Sequence, residues 1–309
     1  YVADAMIGVQ YCLVAQGKEE EATSAIDQFV RENPGTPAAK DLELKKADLL
    51  FGQKNYAAAA KAYQSYLTAE PEVKNRGQAY YWLGRSLQSL GEPVEAIRAF
   101  DAASTAGSRF SGAALLEAID MVSAQGDGAR VHELVARGER SFASDNEVLP
   151  DVLYRKGRLL ADNGNPVEAR RQWEDVIRRS PGHRAADQSR LSLVRLSLSQ
   201  GDAVQARSLA QQVATSRTDE LGAEAQFLVG EAWSAAGDWK QAATAYLRVR
   251  YVFTSYRDWI HRALLELGRA YDRSGDKARA QETYRDLLNR KPEESIRREA
   301  ERRLGALGS

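Results

Sequence analysis

The amino-acid sequence predicts an all-α protein made of tandem helical hairpins, and three observations lead to this prediction. A turn signal recurs eight times in the 309 residues, at intervals of 35 to 38 residues. Apolar residues flank each signal at helical spacing. A small residue, an alanine and an aromatic residue also recur at fixed positions around most of the signals. Internal repeats of this length indicate a solenoid of stacked supersecondary units.

Each turn signal pairs a residue that ends one helix with a polar residue that begins the next. Around Gly91, for example, Leu83 and Leu87 precede the turn, and Ile97 and Phe100 follow it. Glycine adopts the left-handed conformation that ends a helix, and a polar side chain then caps the following one. The repeat is therefore a hairpin of two helices, each about 21 to 24 Å long. The eight signals are Gly17-Lys18, Lys54-Asn55, Gly91-Glu92, Gly126-Asp127, Gly164-Asn165, Gly201-Asp202, Gly237-Asp238 and Gly275-Asp276.

A second pattern places a small residue before the turn, an alanine twelve residues later and an aromatic residue four after that. We expect the small residue to let the two helices approach closely, and the aromatic ring to fill the space against the following hairpin. Proline closes several copies, at Pro34, Pro71, Pro181 and Pro292. The pattern occurs as Gly84, Ala96, Phe100; Gly157, Ala169, Trp173; Gly230, Ala242, Tyr246; Gly268, Ala280, Tyr284; and Ala47, Ala59, Tyr63.

These residues resemble the tetratricopeptide repeat (TPR), whose signature matches nearly in full in Leu267-Gly268-x-x-Tyr271, Ala280-x-x-x-Tyr284 and Pro292. The resemblance implies a right-handed α-α superhelix of about eight hairpins plus a C-terminal capping helix. Three copies are degenerate and are expected to pack less regularly: the first has Gln10, the fourth Ile119 and Val131, and the sixth Val194 and Ala210. The predicted repeats span residues 3–39, 40–76, 77–111, 112–149, 150–186, 187–222, 223–260 and 261–290, and the cap spans 291–309.

The ends and the joints of the repeats carry further expectations. In the cap, Ile296, Ala300, Leu304 and Leu307 share one face and charged residues the other, as a terminal solenoid element requires. The N-terminus lacks such a polar face, so we expect an N-terminal extension of the same chain. The joints 33–39 and 180–186 share a Pro-turn-Ala form that resembles bacterial cell-envelope TPR proteins, namely the Tol-Pal coordinator and the outer-membrane assembly lipoprotein. This second resemblance implies a periplasmic or envelope location, with the cytoplasm as the alternative.

Composition excludes several function classes. The 43 basic and 43 acidic side chains balance, which disfavours nucleic-acid binding, and no apolar run is long enough to span a membrane. Cys12 is the only cysteine and is expected to be a small buried hydrophobe. His132, His183 and His261 are far apart and lack metal-ligand spacing. No catalytic motif occurs, so we expect no enzyme activity, cofactor or metal.

The resemblance implies that the first helix of every hairpin lines the concave face. Positions three before and one after the small residue then form the rungs of a ladder, because residues four apart share a helix face. The rungs are Ile7 and Tyr11, Leu44 and Asp48, Tyr81 and Arg85, Leu116 and Asp120, Tyr154 and Arg158, Leu191 and Arg195, Phe227 and Glu231, and Leu265 and Arg269. The candidate partner-binding residues among them are Tyr81, Arg85, Tyr154, Arg158, Arg195, Phe227, Glu231 and Arg269.

Two interpretations of the rungs stay open. In the first, apolar residues contact a peptide and arginines bind its carboxylates. In the second, the apolar residues pack against the neighbouring hairpin and the arginines pair with acidic residues one turn away.

Two other stretches stand out. Residues 251–259 are the densest aromatic segment and replace the proline joint between the seventh and eighth repeats; Tyr251, Phe253, Tyr256 and Trp259 are candidate interface residues, although a longer joint that fills its own gap explains them equally well. Residues 155–195 contain ten basic and five acidic side chains, which indicates either an acidic-partner patch or a solvated outer face.

Three functions follow from these features. The first is a non-catalytic scaffold that binds a protein or peptide along its concave face, in a bacterial envelope assembly. The second is a regulatory or substrate-presenting arm of a larger protein whose catalytic domain lies outside this segment. The third is a nucleic-acid-associated repeat protein that uses residues 155–195, which the neutral overall charge disfavours.

Overall fold

The fold is all-α, as the sequence predicts. A computed structural model describes residues 2–69 and 75–308, and within these ranges it contains seventeen helices and no strand. The helices are α1 (Val2–Ala15), α2 (Glu19–Glu32), α3 (Pro37–Gly52), α4 (Tyr56–Ala69), α5 (Arg76–Ser89), α6 (Pro93–Ser104), α7 (Ser111–Ala124), α8 (Gly128–Ser141), α9 (Leu149–Asp162), α10 (Pro166–Arg179), α11 (Arg184–Ser199), α12 (Ala203–Ser216), α13 (Glu220–Ala235), α14 (Trp239–Val252), α15 (Arg257–Arg273), α16 (Lys277–Asn289) and α17 (Glu294–Gly308).

The chain divides into two compact units, Tyr1–Val152 and Leu153–Ser309, with the division inside α9. Within each unit the odd-numbered helices are the first helices of hairpins and the even-numbered helices are the second. A first helix contacts the second helices before and after it, as α13 contacts α12 and α14. First helices of successive hairpins also contact one another, as α3 and α5 do in the first unit and α13 and α15 in the second.

All eight predicted turns contain a residue in the left-handed conformation. Seven are glycines, with φ between 71° and 84°, and the eighth is Lys54, with φ 61°. In seven of these turns the next residue donates its backbone N–H back into the preceding helix; Asp238, for example, donates to the Trp233 carbonyl at 3.0 Å. The Asp238 carboxylate then accepts from the Gln241 N–H at 3.1 Å and caps α14. The local sequence therefore determines where each hairpin reverses.

The two helices of a hairpin approach most closely where the small residue faces an aromatic residue sixteen positions later. A Cβ atom added to Gly230 would lie 2.3 Å from the Tyr246 ring, and one added to Gly268 would lie 2.4 Å from the Tyr284 ring. The expected packing of this ring against the following hairpin is thus only part of its role. Tyr246 fills the gap inside its own hairpin and also belongs to a cluster with Leu264 of the next.

The fourth hairpin, one of the degenerate copies, achieves its close approach with a different glycine. Gly138 lies on the second helix, α8, and a Cβ added there would lie within 3.0 Å of both Leu115 and Val152. Ile119 and Val131 are themselves buried. The signature position is therefore not the only place at which a glycine brings two helices together.

The expectation that Cys12 is buried is wrong. Cys12 is exposed, because α1 packs on α2 and α3 and the cysteine lies on a face that these helices leave to solvent. An apolar stretch in a first helix buries only the residues that a neighbour covers.

The predicted capping role of the last helix agrees with its packing. In α17, Ile296 and Ala300 are buried, and Leu304 and Leu307 pack on the same cluster. The opposite face is exposed and charged through Arg297, Arg298, Glu301 and Arg302.

The last helix, α17, also continues the spacing of the signature positions on the first helices. Gly305 follows Gly268 by 37 residues, the same interval that separates Gly157 from the signature position Val194. No described atom lies within 4 Å of a Cβ added to Gly305. The position that a second helix would cover is therefore open in α17.

Two glycine substitutions test the close approach. Gly268→Ala should lower the free energy of unfolding by about 1–3 kcal/mol, because the new methyl group would overlap the fully buried Tyr284 ring. Gly305→Ala, also in a helix but in open space, should raise it by up to about 1 kcal/mol through helix propensity. Urea unfolding followed by circular dichroism measures both; equal effects would refute the packing account.

A substitution at Lys54 tests whether the left-handed conformation of the turn costs stability. Lys54→Gly should stabilise the chain by about 0.5–1 kcal/mol, because a left-handed conformation disfavours residues with a Cβ atom. The matched control is Lys61→Gly, in the middle of α4 and exposed, which should destabilise by a similar amount. The same unfolding measurement decides the sign, and a loss of stability with Lys54→Gly would contradict the prediction.

Candidate functional site

A cleft of about 370 Å³ lies between α9 and α11, the first helices of two successive hairpins in the second unit. It brings together three of the predicted residues, Tyr154, Arg158 and Arg195. Arg158 and Arg195 are 37 residues apart and hold the same position on their helices. The repeat therefore places two guanidinium groups, one from each helix, around the same cleft.

Trp173 of α10 forms the back of the cleft. Its ring covers Gly157, so that α9 and α10 approach closely, and its indole N–H donates to the Tyr154 carbonyl at 3.2 Å. Trp173 is buried in a cluster with Ala169 and Leu193, against which Tyr154 packs. The aromatic wall of the cleft is thus held by the hydrophobic core.

Arg85, Arg195 and Arg269 pair with acidic residues, as the second interpretation expected, but mostly not one turn away. Arg195 bonds to Glu224 of the next first helix, α13. Arg85 lies 3.6 Å from Glu117 of α7. These partners come 29 and 32 residues later in the chain, so the pairs join neighbouring hairpins within one unit.

Arg269 combines both kinds of partner. Its guanidinium bonds to Glu266, one turn away on α15, at 2.6 Å and to Glu299 of α17 at 2.9 Å. Arg302 and Arg303 also donate to Glu299, and these hydrogen bonds lower the pKa of that carboxyl far below its usual value. The last rung is therefore part of the contact between α15 and the capping helix.

The apolar residues of the rungs mainly pack against neighbouring side chains, which the second interpretation also expected. Tyr81, Leu191 and Leu265 are buried. Tyr154 and Phe227 are half-buried, and the Phe227 ring lies 5.6 Å from the Trp259 ring. Tyr154 and Phe227 are therefore the apolar rung residues that keep accessible surface in the second unit. The side chains of Ile7 and Tyr11, the first predicted rung, lie outside the described part of the chain.

Glu231 is held by the aromatic residue of its own hairpin. The Tyr246 hydroxyl donates to a Glu231 carboxylate oxygen at 2.5 Å, and in the second hairpin the Tyr63 hydroxyl donates to Asp48 at 2.7 Å. Burial, together with the adjacent carboxylate, raises the pKa of both tyrosines well above the usual value. A neutral phenol that donates to a carboxylate fixes each of these acidic rungs.

With this geometry in hand, sequence comparison identifies the family. Two family profiles described as "Tetratricopeptide repeat" match the sequence, one at residues 13–74, 44–110, 154–214 and 191–251 and the other at 262–293. Together they cover more than half of the chain. The chain belongs to the tetratricopeptide repeat family. Proteins of this family generally mediate protein–protein interactions. A search of curated protein sequences returned no match.

Similar solved structures support the fold of this TPR chain. A tetratricopeptide repeat protein from Parabacteroides merdae has a TM-score of 0.60 at 15% identity and covers 85% of this chain and 98% of its own. The Cut9–Hcn1 hetero-tetramer gives 0.56 at 14% identity, over 97% of this chain and 56% of the other. PilF from Pseudomonas aeruginosa gives 0.52 at 16% identity, over 70% and 92%. At these identities the likeness establishes the TPR fold alone.

The aromatic joint of this TPR chain has a buried and an exposed part. Phe253 is buried beside Gly222 and fills the joint, and Trp259 packs on Phe227. Tyr256 is half-buried and precedes α15. Tyr251 is 66% exposed. The joint thus fills its own gap, and Tyr251 is its accessible aromatic residue.

At least half of the ten basic side chains in the stretch 155–195 pair with acidic residues. Arg178 and Arg179 both pair with Asp175, Arg184 pairs with Asp219, and Arg190 pairs with Asp187. Asp219 also accepts two hydrogen bonds from Arg217, which lower its pKa to about 2. These pairings match a solvated face better than an open anionic-partner patch.

The described residues contain no cluster of potential metal ligands and no helix long and apolar enough to cross a membrane. The three histidines lie in three different environments. His132 is exposed, His183 caps α11 by accepting from the Ala185 N–H at 3.1 Å, and His261 is buried. Burial and the neighbouring Arg257 lower the pKa of His261.

Sequence reasoning missed Ser192 and Glu224. Ser192 lines the cleft and is 8% exposed, and Glu224 holds Arg195. The only signal for Ser192 was its position. It precedes Arg195 by three residues, and therefore both residues lie on the same face of α11. Glu224 lies on another helix, and no local pattern links it to Arg195.

A pair of tyrosine substitutions tests how the rungs are held. Tyr246→Phe should lower the free energy of unfolding by about 1 kcal/mol, because Glu231 would lose its buried donor. Tyr284→Phe should have almost no effect, because the Tyr284 hydroxyl has no hydrogen-bond partner among the described residues. Urea unfolding compares the two, and equal losses would rule out the hydrogen bond as the cause.

Proposed function

We propose that this TPR chain is a non-catalytic scaffold that holds a segment of a protein partner in the cleft between α9 and α11. The observation that carries the proposal is the combination of an accessible aromatic ring, Tyr154, with two arginines from successive hairpins in one concave site. Aromatic and arginine side chains are the residue types most enriched at energetically important interface positions.

The cleft has the properties that binding of a peptide segment requires. Its apolar wall of Tyr154 and Trp173 is fixed by the core, so little side-chain freedom is lost when a ligand packs on it. The Arg195 side chain keeps 53% of its surface exposed despite its bond to Glu224. A ligand can therefore reach one guanidinium group without any rearrangement of the backbone.

The proposal extends to the location. The Pro-turn-Ala form of residues 33–39 and 180–186 favours a bacterial envelope assembly, and the periplasm is the compartment we propose. Fractionation of cells that express the full-length reading frame tests this part separately. Recovery in the cytoplasmic fraction would contradict the location and leave the scaffold proposal standing.

Charge reversal in the cleft tests the function. Peptides that bind the wild-type chain, selected from a displayed library of random twelve-residue sequences, should bind the Arg158→Glu/Arg195→Glu variant at least about tenfold more weakly, because both cations of the site are inverted. Fluorescence anisotropy measures the dissociation constants, and circular dichroism checks that helicity is unchanged.

The control variant is Arg178→Glu/Arg179→Glu, which makes the same change in net charge on the exposed surface of α10. It should bind the selected peptides as the wild type does, because neither residue lines the cleft. Equal binding by all three proteins would overturn the assignment of the cleft. If both variants bind the peptides equally weakly, the change in net charge is the cause.

A further inference from the structure

Ser192 is a hydrogen-bond donor that the fold leaves unused. It is 8% exposed and lines the cleft, yet its hydroxyl makes no hydrogen bond to any described residue. Ser86 and Ser199 donate to carbonyl groups of their own helices, each at 2.8 Å, whereas the hydroxyls of Ser189 and Ser197 on α11 are buried without a partner. Ser192 differs from these two because it lines the cleft, where a ligand or a water molecule can accept its hydrogen bond.

Arg195 already holds a carboxylate. Its partner Glu224 projects from α13, and the Glu224 side chain is only 14% exposed, against 53% for Arg195. The arginine therefore binds Glu224 on one side and presents the rest of its planar group to solvent. Ser192 and Arg195 are three residues apart on α11 and so face the same side of the helix.

We propose that the cleft selects an acidic segment of the partner and that Glu224 is a built-in competitor for it. This inference rests on the proposed function. A glutamate or aspartate of the partner would take the place of Glu224 at Arg195, accept a hydrogen bond from Ser192 and lie within reach of Arg158. Glu224 would then lower the affinity for every acidic ligand, so that only segments that also pack on Tyr154 are retained.

The charges around the cleft favour a carboxylate over a phosphate. Asp162 lines the same cleft, and it would repel a doubly charged group more strongly than a singly charged one. Arg178 and Arg179, in the last turn of α10, are already paired with Asp175. The group that now occupies Arg195 is itself a carboxylate, which demonstrates that this chemistry fits the site.

The experiment compares two probe peptides on the full chain by fluorescence anisotropy. One is a labelled twelve-residue peptide with a central tyrosine flanked by glutamates, and the other has glutamine at each glutamate position. Glu224→Gln should strengthen binding of the glutamate peptide about three- to tenfold, because the competitor is removed, and should leave the glutamine peptide unchanged. Ser192→Ala should weaken the glutamate peptide severalfold, because one donor is lost.

Glu174→Gln is the matched control. It removes the same charge from an exposed position on α10 in the same unit, and it should not alter binding of either peptide. If Glu174→Gln strengthens binding as much as Glu224→Gln does, the effect is one of net charge and the inference fails. Circular dichroism verifies that every variant folds.

The remaining outcomes separate this inference from the function on which it rests. No gain with Glu224→Gln would overturn the competitor, while sensitivity of the selected peptides to Arg158→Glu/Arg195→Glu would keep the scaffold. Tighter binding of a phosphoserine version of the probe than of the glutamate peptide would overturn the choice of carboxylate. Failure of all peptides to respond to any cleft variant would overturn both proposals.

Discussion

The structure depends on one steric constraint, the close approach of the two helices of a hairpin at positions sixteen residues apart. Close packing requires the combined volume of the two residues to fill the gap without overlap. Most hairpins meet the requirement with a small residue on the first helix and an aromatic residue on the second. The pairs are Ala47 and Tyr63, Gly84 and Phe100, Gly157 and Trp173, Gly230 and Tyr246, and Gly268 and Tyr284. The sixth hairpin reverses the order with Val194 and Ala210, both fully buried in one cluster.

The choice of aromatic residue at this position also goes with the charge of the rung residue on the first helix. Where the residue is tyrosine, in the second and seventh hairpins, its hydroxyl binds an acidic rung, Asp48 or Glu231. Where it is phenylalanine or tryptophan, no hydroxyl is available and the rung is Arg85 or Arg158. The eighth hairpin departs from this correspondence. Its rung residue is Arg269, and the Tyr284 hydroxyl has no hydrogen-bond partner among the described residues. Burial raises the pKa of Tyr284 to about 12.

Local features of the fold could be predicted from the sequence, whereas contacts between hairpins could not. The turns were predictable because the left-handed conformation is a property of one residue and its neighbours, and even Lys54 fits the pattern. The partners of the arginines depend on how far one first helix is shifted along the next. Glu224 lies six residues before the small position of its helix and Glu117 two before the corresponding Ile119, so no single spacing identifies them. Cys12 was misjudged for a related reason, because its burial depends on a neighbour and not on its own helix.

The location of the cleft has the same origin as the core packing, a local difference in side-chain volume. Ser192 lies two residues before the signature position of α11. Several other first helices have larger residues at this position, among them Trp82, Arg155 and Leu228, and Leu228 packs into the core of its unit. A serine leaves part of that volume empty, and the cleft between α9 and α11 occupies it. The surrounding helices are held by their own hairpins, so they do not collapse into the gap. A small residue at this position of α11 therefore leaves a cleft between two first helices.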